Sequence, residues 1–191
     1  MSSFRQLMMR EKGGSNIIYA PTLDGTEQIT TMSGVNGYVT PTISNNELKT
    51  QNYASGYLTE GWNNTVNWKL TFKCSSNSTS VIGGFYIVFP STINRDYNEL
   101  LFDNTLTMFI YENGSKTFDD TYFKSAYATY NTWANITVEK LSSTQLKISV
   151  GANSKTITWN SMSTQNRLCI GVDSWNSSFI GYLKDILVIK V

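Results

Sequence analysis

The chain contains no histidine, only two cysteines and three prolines, and just 15% of its 191 residues are charged. Each shortage removes a class of function. Without histidine, a serine triad lacks its usual base and zinc lacks its commonest nitrogen ligand. Cys74 and Cys169 are too few for a disulfide framework. Cys74 alternates with Trp68, Leu70 and Phe72, whereas Cys169 alternates away from Leu168, Ile170 and Val172, so both are expected to be free thiols. A formal net charge of +1, with no run of Lys or Arg, offers no patch for neutralising phosphates, and no nucleic-acid partner is expected. Hydrophobic runs are short. The most conspicuous, Phe85-Tyr86-Ile87-Val88-Phe89, falls far below the roughly 20 apolar residues that cross a bilayer. The opening residues lack the apolar core of a secretory signal. Neither membrane insertion nor export by that route is expected. Gly13-Gly14 and Gly83-Gly84 lack the context of a phosphate-binding loop.

What the chain does have is apolar content of 40%, abundant Asn, Ser and Thr, and period-two alternation. Val66, Trp68, Leu70, Phe72 and Cys74 alternate with Asn67, Lys69, Thr71 and Lys73, the pattern of a strand with one buried face. Residues 83–89 are apolar on both faces and suit a central strand. Residues 106–111 lead into Asn113-Gly114, the strongest turn signal, with 115–118 as the return. Strands are also expected at 134–139, 146–150, 155–159, 168–172 and 179–191, and two short ones around Asn45-Asn46. Strands at intervals near ten residues, with no helical pattern between them, predict an all-β fold, a sandwich or barrel. Trp68 and Trp159 are expected in the core, with Trp133 open to either role.

The first residues differ. Phe4, Leu7 and Met8 can share a helical face, Arg5 and Met9 lie one turn apart, and Gly13-Gly14 stops the pattern. So short a helix needs something to pack on. Residues 1–14 are therefore expected to be either a frayed terminus or a docking segment, helical or extended, ahead of a domain at 15–191.

Residues Trp133-Ala134-Asn135-Ile136-Thr137-Val138, Leu146-Lys147-Ile148-Ser149-Val150-Gly151 and the closing Phe179-Ile180-Gly181-Tyr182-Leu183-Lys184-Asp185-Ile186 resemble the laminin G-like and concanavalin A-like group. That resemblance implies a two-sheet antiparallel jelly-roll sandwich, with Asp185 at a bulge in the last strand. Ser3-Phe4-Arg5-Gln6-Leu7-Met8-Met9 resembles the segment that precedes such sandwiches in head-fibre, tail or baseplate proteins of gut bacteriophages. What this implies is a non-enzymatic structural or receptor-binding virion protein, assembled in the host cytoplasm. Phe4, Arg5, Leu7, Met8 and Met9 would dock on other virion proteins, the chain would form a homo-oligomer, and the sandwich would face a host-surface glycan. The alternative expectation is a free carbohydrate-binding, lectin-like domain.

Members of the group that hydrolyse glycans place two or three carboxylates on one strand, and no predicted strand here does so. Glu139 stands alone, while Asp96, Glu99, Asp119 and Asp120 read as solvated residues of polar connections. Hydrolysis is accordingly the least favoured expectation. No cofactor is expected. Calcium would need more than the one carboxylate per loop that Asp24, Asp103 and Asp173, with Asn176, supply. The ligand-binding candidates are Trp62 with Asn63, and Asp173 with Trp175 and Asn176, because an indole beside amide and carboxylate groups can stack on a sugar and bond its hydroxyls.

Overall fold

The computed structural model describes residues 17–21, 23, 42–51, 55–59, 66–79, 83–88, 99–112, 115–125, 128–160, 162, 168–174 and 180–191. Among them the strands form two antiparallel sheets. The eight-stranded sheet contains β1 (Ile17–Tyr19), β2 (Thr42–Ser44), β3 (Glu47–Gln51), β5 (Trp68–Ser76), β10 (Ala134–Lys140), β11 (Gln145–Val150), β12 (Asn153–Thr158) and β14 (Ile180–Lys190). Their order is β12-β11-β10-β5-β14-β3-β2, with β1 paired to β14. The six-stranded sheet contains β4 (Ser55–Thr59), β6 (Gly83–Val88), β7 (Glu99–Asp103), β8 (Met108–Glu112), β9 (Ser115–Asp120) and β13 (Leu168–Ser174), ordered β4-β13-β6-β7-β8-β9. This is the expected jelly-roll sandwich.

Alternation builds the core between the sheets. β5 contributes Trp68, Leu70, Phe72 and Cys74, β10 Ile136 and Val138, and β11 Leu146 and Ile148. They meet Phe85 and Ile87 of β6, Leu100 and Phe102 of β7, and Met108 and Ile110 of β8. Burying one large apolar side chain contributes about 1.5–3 kcal/mol. Trp68 and Trp159 are both buried, as expected. Cys74 is a buried free thiol, and burial pushes its pKa well above the ordinary value.

Turn chemistry fixes the register. Asn45 and Asn46, at φ of 55° and 58°, join β2 to β3, the left-handed pair that a two-residue hairpin requires. Gly151, at φ 58°, opens the turn between β11 and β12, which starts at Asn153 and so takes two residues from the expected loop. Asp185, at φ 53°, marks the predicted bulge. Pairing with β5 jumps there, so Leu183 and Ile186 both reach the core, and Asp185 lies 2.9 Å from the Lys73 ammonium. Lys155 of β12 forms an ion pair with Asp120 of β9, tying the two sheets together at one edge.

β4 and β7 were not foreseen. Glu99, expected in a solvated connection, is the first residue of β7 and only 4% exposed, and Asp103, expected in a loop, is its last. One strand does carry two carboxylates, against expectation, and Asp119 and Asp120, also expected in a connection, end β9.

Candidate functional site

β7 explains why a catalogue of alternating strands missed it: all five of its residues, Glu-Leu-Leu-Phe-Asp, are buried. Leu100 and Phe102 belong to the core, so Glu99, Leu101 and Asp103 face the other way, outward from the sandwich. Neighbouring strands extend this outward face. Leu101 pairs with Tyr86 of β6 and Phe109 of β8, Tyr86 with Gly171 of β13, and Phe109 with Asp119 of β9. In the next row Glu99 pairs with Tyr111, and Tyr111 with Lys116. Gly84 lets β6 and β7 close on each other, because a Cβ there would sit 2.3 Å from the Phe102 carbonyl oxygen.

Burial falls off across this face. Tyr86 and Leu101 at its centre are 0% and 2% exposed, Phe109 and Tyr111 are half-buried, and Lys116 and Asp119 at the edge are exposed. The Phe109 and Tyr111 rings are 6.5 Å apart and tilted by 47°. Lys116 Nζ lies 5.5 Å from the centroid of Phe109 and donates to Asp119 Oδ2 at 2.8 Å, a hydrogen bond that raises the lysine pKa above its ordinary value. Aromatic rings beside carboxylates and an ammonium can hold a sugar by its apolar face and its hydroxyls together.

The two outward carboxylates of β7 have different surroundings. Asp103 Oδ1 accepts from the backbone N–H of Thr105 at 2.8 Å, the Thr105 hydroxyl at 2.7 Å and the N–H of Thr107 at 3.0 Å. Asp103 thus braces the turn into β8. Four residues along an extended strand separate the two Cα atoms by about 13 Å.

The sequence-derived candidates fall elsewhere. Trp62, Asn63, Trp175 and Asn176 lie outside the described residues, as do Phe4, Arg5, Leu7, Met8 and Met9. Asp173 is described in backbone only, paired with Gly84. β4 and β13 are antiparallel, with Thr59 beside Leu168 and Ser55 beside Val172. The connections carrying Trp62 and Trp175 therefore leave these strands at opposite ends. At the start of β14, Asn77 Oδ1 accepts from the Ile180 N–H at 2.7 Å and the Asn77 N–H donates to the Ile180 carbonyl at 3.0 Å. Trp133, half-buried, has the Lys184 ammonium 3.6 Å from its ring centroid, and that ammonium also bonds Glu47 at 3.1 Å. The signal for the outward face was already present in Phe109 and Tyr111, two residues apart on a predicted strand.

No family model matches the sequence, and no curated protein matches it. Solved structures do. A structure from work on the endo-acting O-glycanases by which prominent members of the human gut microbiota initiate mucin breakdown superposes with a TM-score of 0.62 at 8% identity, covering 92% of this chain and 99% of that one. The chain has the two-sheet jelly-roll sandwich fold. A Bacillus licheniformis β-glucanase gives 0.60 at 10% identity, with 91% and 97% covered. The botulinum neurotoxin serotype D binding domain gives 0.58 at 12%, and there the sandwich matches 92% of this chain but 48% of the toxin chain, about half of its length. At such identities the shared property is the fold.

Proposed function

We propose that the chain is a carbohydrate-binding, lectin-like domain that takes its glycan on the outward face of the six-stranded sheet and does not cleave it. The observation that carries this reading is the accessible β8–β9 part of that face, where Phe109 and Tyr111 are half-buried beside the exposed Lys116 and Asp119, backed by the buried centre Tyr86 and Leu101. That mucin-degrading and β-glucan-degrading proteins share the sandwich supports a glycan as the ligand. Binding is favoured over hydrolysis by the carboxylates. A retaining pair stands about 5 Å apart. Glu99 and Asp103 do share one face of β7, but Leu101 and no third carboxylate stands between them, and Asp103 Oδ1 is taken up by three donors from Thr105 and Thr107.

The test is retention on immobilised mucin O-glycans and β-glucan, with Phe109→Ala and Tyr111→Ala against the parent chain. Losing one stacking ring is expected to weaken retention about tenfold. Full retention by both variants would remove the proposed face, and release of reducing ends from either glycan would overturn the non-catalytic reading. The phage-particle setting rests on residues 1–14 alone. Deleting them is expected to abolish incorporation into particles while leaving glycan retention intact, and normal incorporation of the shortened chain would remove that setting.

A further inference from the structure

Every open sheet ends in strands whose outer N–H and C=O groups could pair with another chain. The edges described here differ in how far they prevent it. β2 has only three residues, and β4 has five, among them Gly56, which weakens a strand. β9 is broken by a register shift opposite Ile110 and Tyr111 and carries the exposed Lys116. β12 has six residues, pairs with β11 without interruption from Asn153 to Thr158, and contains no proline. Its outward side chains Ser154, Thr156 and Thr158 are exposed, while Ile157 is buried.

The hydrogen-bond parity of β12 follows from its C-terminal end. The Trp159 N–H donates to the Thr144 carbonyl at 2.8 Å, in register with the β11 ladder. Bonding positions alternate along an antiparallel pair. Asn153, Lys155 and Ile157 therefore turn their backbone groups to β11, leaving those of Ser154, Thr156 and Thr158 directed away from the sheet.

We infer that β12 is the edge through which two copies of this chain join, antiparallel about a two-fold axis at Thr156. In that register Thr156 faces Thr156 of the second copy and Ser154 faces Thr158. Every outward-directed backbone group is then paired, in about six hydrogen bonds. Hydroxyls oppose hydroxyls on one face of the new ladder, a stabilising cross-strand pairing. On the other face Lys155 opposes Ile157. Sliding by one pairing step puts Lys155 against Lys155 in one direction and Ile157 against Ile157 in the other, and either slide loses hydrogen bonds, so the register centred on Thr156 pairs the edge with itself most fully. A second feature marks the same edge. Tyr122 is 55% exposed and lies beside Lys155, whose ammonium is 5.4 Å from the ring centroid. Exposed tyrosine is enriched at protein interfaces. The inference is independent of glycan binding, which involves the other sheet.

Sedimentation velocity on the full chain over a range of concentrations tests it. The parent chain is expected to form a dimer. Thr156→Pro removes an outward N–H while sparing the bonds to β11, and should give a folded monomer, with far-ultraviolet circular dichroism unchanged. Thr156→Lys and Thr156→Glu each place like charges across the axis and should weaken the dimer at least about tenfold, whereas mixing the two should restore it as a heterodimer. A parent chain that stays monomeric up to about 1 mM, a dimer indifferent to all three substitutions, or a Lys and Glu mixture that fails to associate would each overturn the inference.

Discussion

On the outward face of the eight-stranded sheet, Thr71, Thr137 and Ser149 run side by side across β5, β10 and β11, with Lys69, Glu139 and Lys147 in the adjoining row, all of them half-buried. On the outward face of the six-stranded sheet the corresponding central positions are Tyr86 and Leu101, fully buried, with Glu99 and Asp103 buried beside them. The first face shows what alternation produces when one side of a sheet meets water. The second shows a sheet buried on both sides at its centre, where polar groups persist and must be held by specific bonds. Glu99 and Asp103 are costly to bury, and Asp103 offsets that cost with three hydrogen bonds in the following turn.

The contrast makes quantitative predictions. Leu101→Ala is expected to destabilise the chain by about 2–5 kcal/mol in urea unfolding, the range for truncating a buried leucine, although the residue points away from the central core. A cost below about 0.5 kcal/mol would show that this face is an ordinary solvent face. Asp103→Ala should cost about 2–3 kcal/mol by freeing the Thr105 and Thr107 donors. A smaller effect is expected at the seam between the sheets. Burial works to raise the Asp120 pKa, but the bond from Lys155, the Tyr122 N–H and the Lys155 charge together outweigh it, so the carboxyl titrates below its ordinary value of 3.8. A depressed native pKa gives stability that is present above about pH 4 and is lost as the pH falls through the native value. Melting temperatures between about pH 5 and pH 2 should therefore drop less steeply in Asp120→Asn than in the parent, and identical slopes would remove Asp120 from the seam. Thr137→Ala, on the solvent face, should change stability by no more than about 0.5 kcal/mol.

The same contrast governs what could be read from the sequence. β5, β10 and β11 were legible because each has one wet face and one dry one, so residues such as Lys69 and Thr71 alternate visibly with Trp68 and Leu70. Asn45-Asn46 was legible because left-handed backbone narrows the choice of residue, whereas the bulge at Asp185 was legible only through the resemblance of the closing strand. β7 was not, since burial on both faces erases the alternation and its two carboxylates suggest a loop. Five lysines spaced along the sequence, Lys49, Lys69, Lys73, Lys147 and Lys184, gather on the outward face of one sheet only through its topology. The candidate face of the other sheet was hidden for the same reason. Tyr86, Leu101 and Phe109 are far apart in sequence and become neighbours only through the β6, β7 and β8 register.

The most direct measurement is a titration with mucin-derived O-glycans or β-glucan oligosaccharides while backbone amide resonances are followed. Shifts concentrated at Phe109, Tyr111, Lys116 and Asp119, with Thr71, Thr137 and Ser149 unmoved, are the predicted result. Shifts centred on Thr71, Thr137 and Ser149 instead would contradict the placement of the binding face.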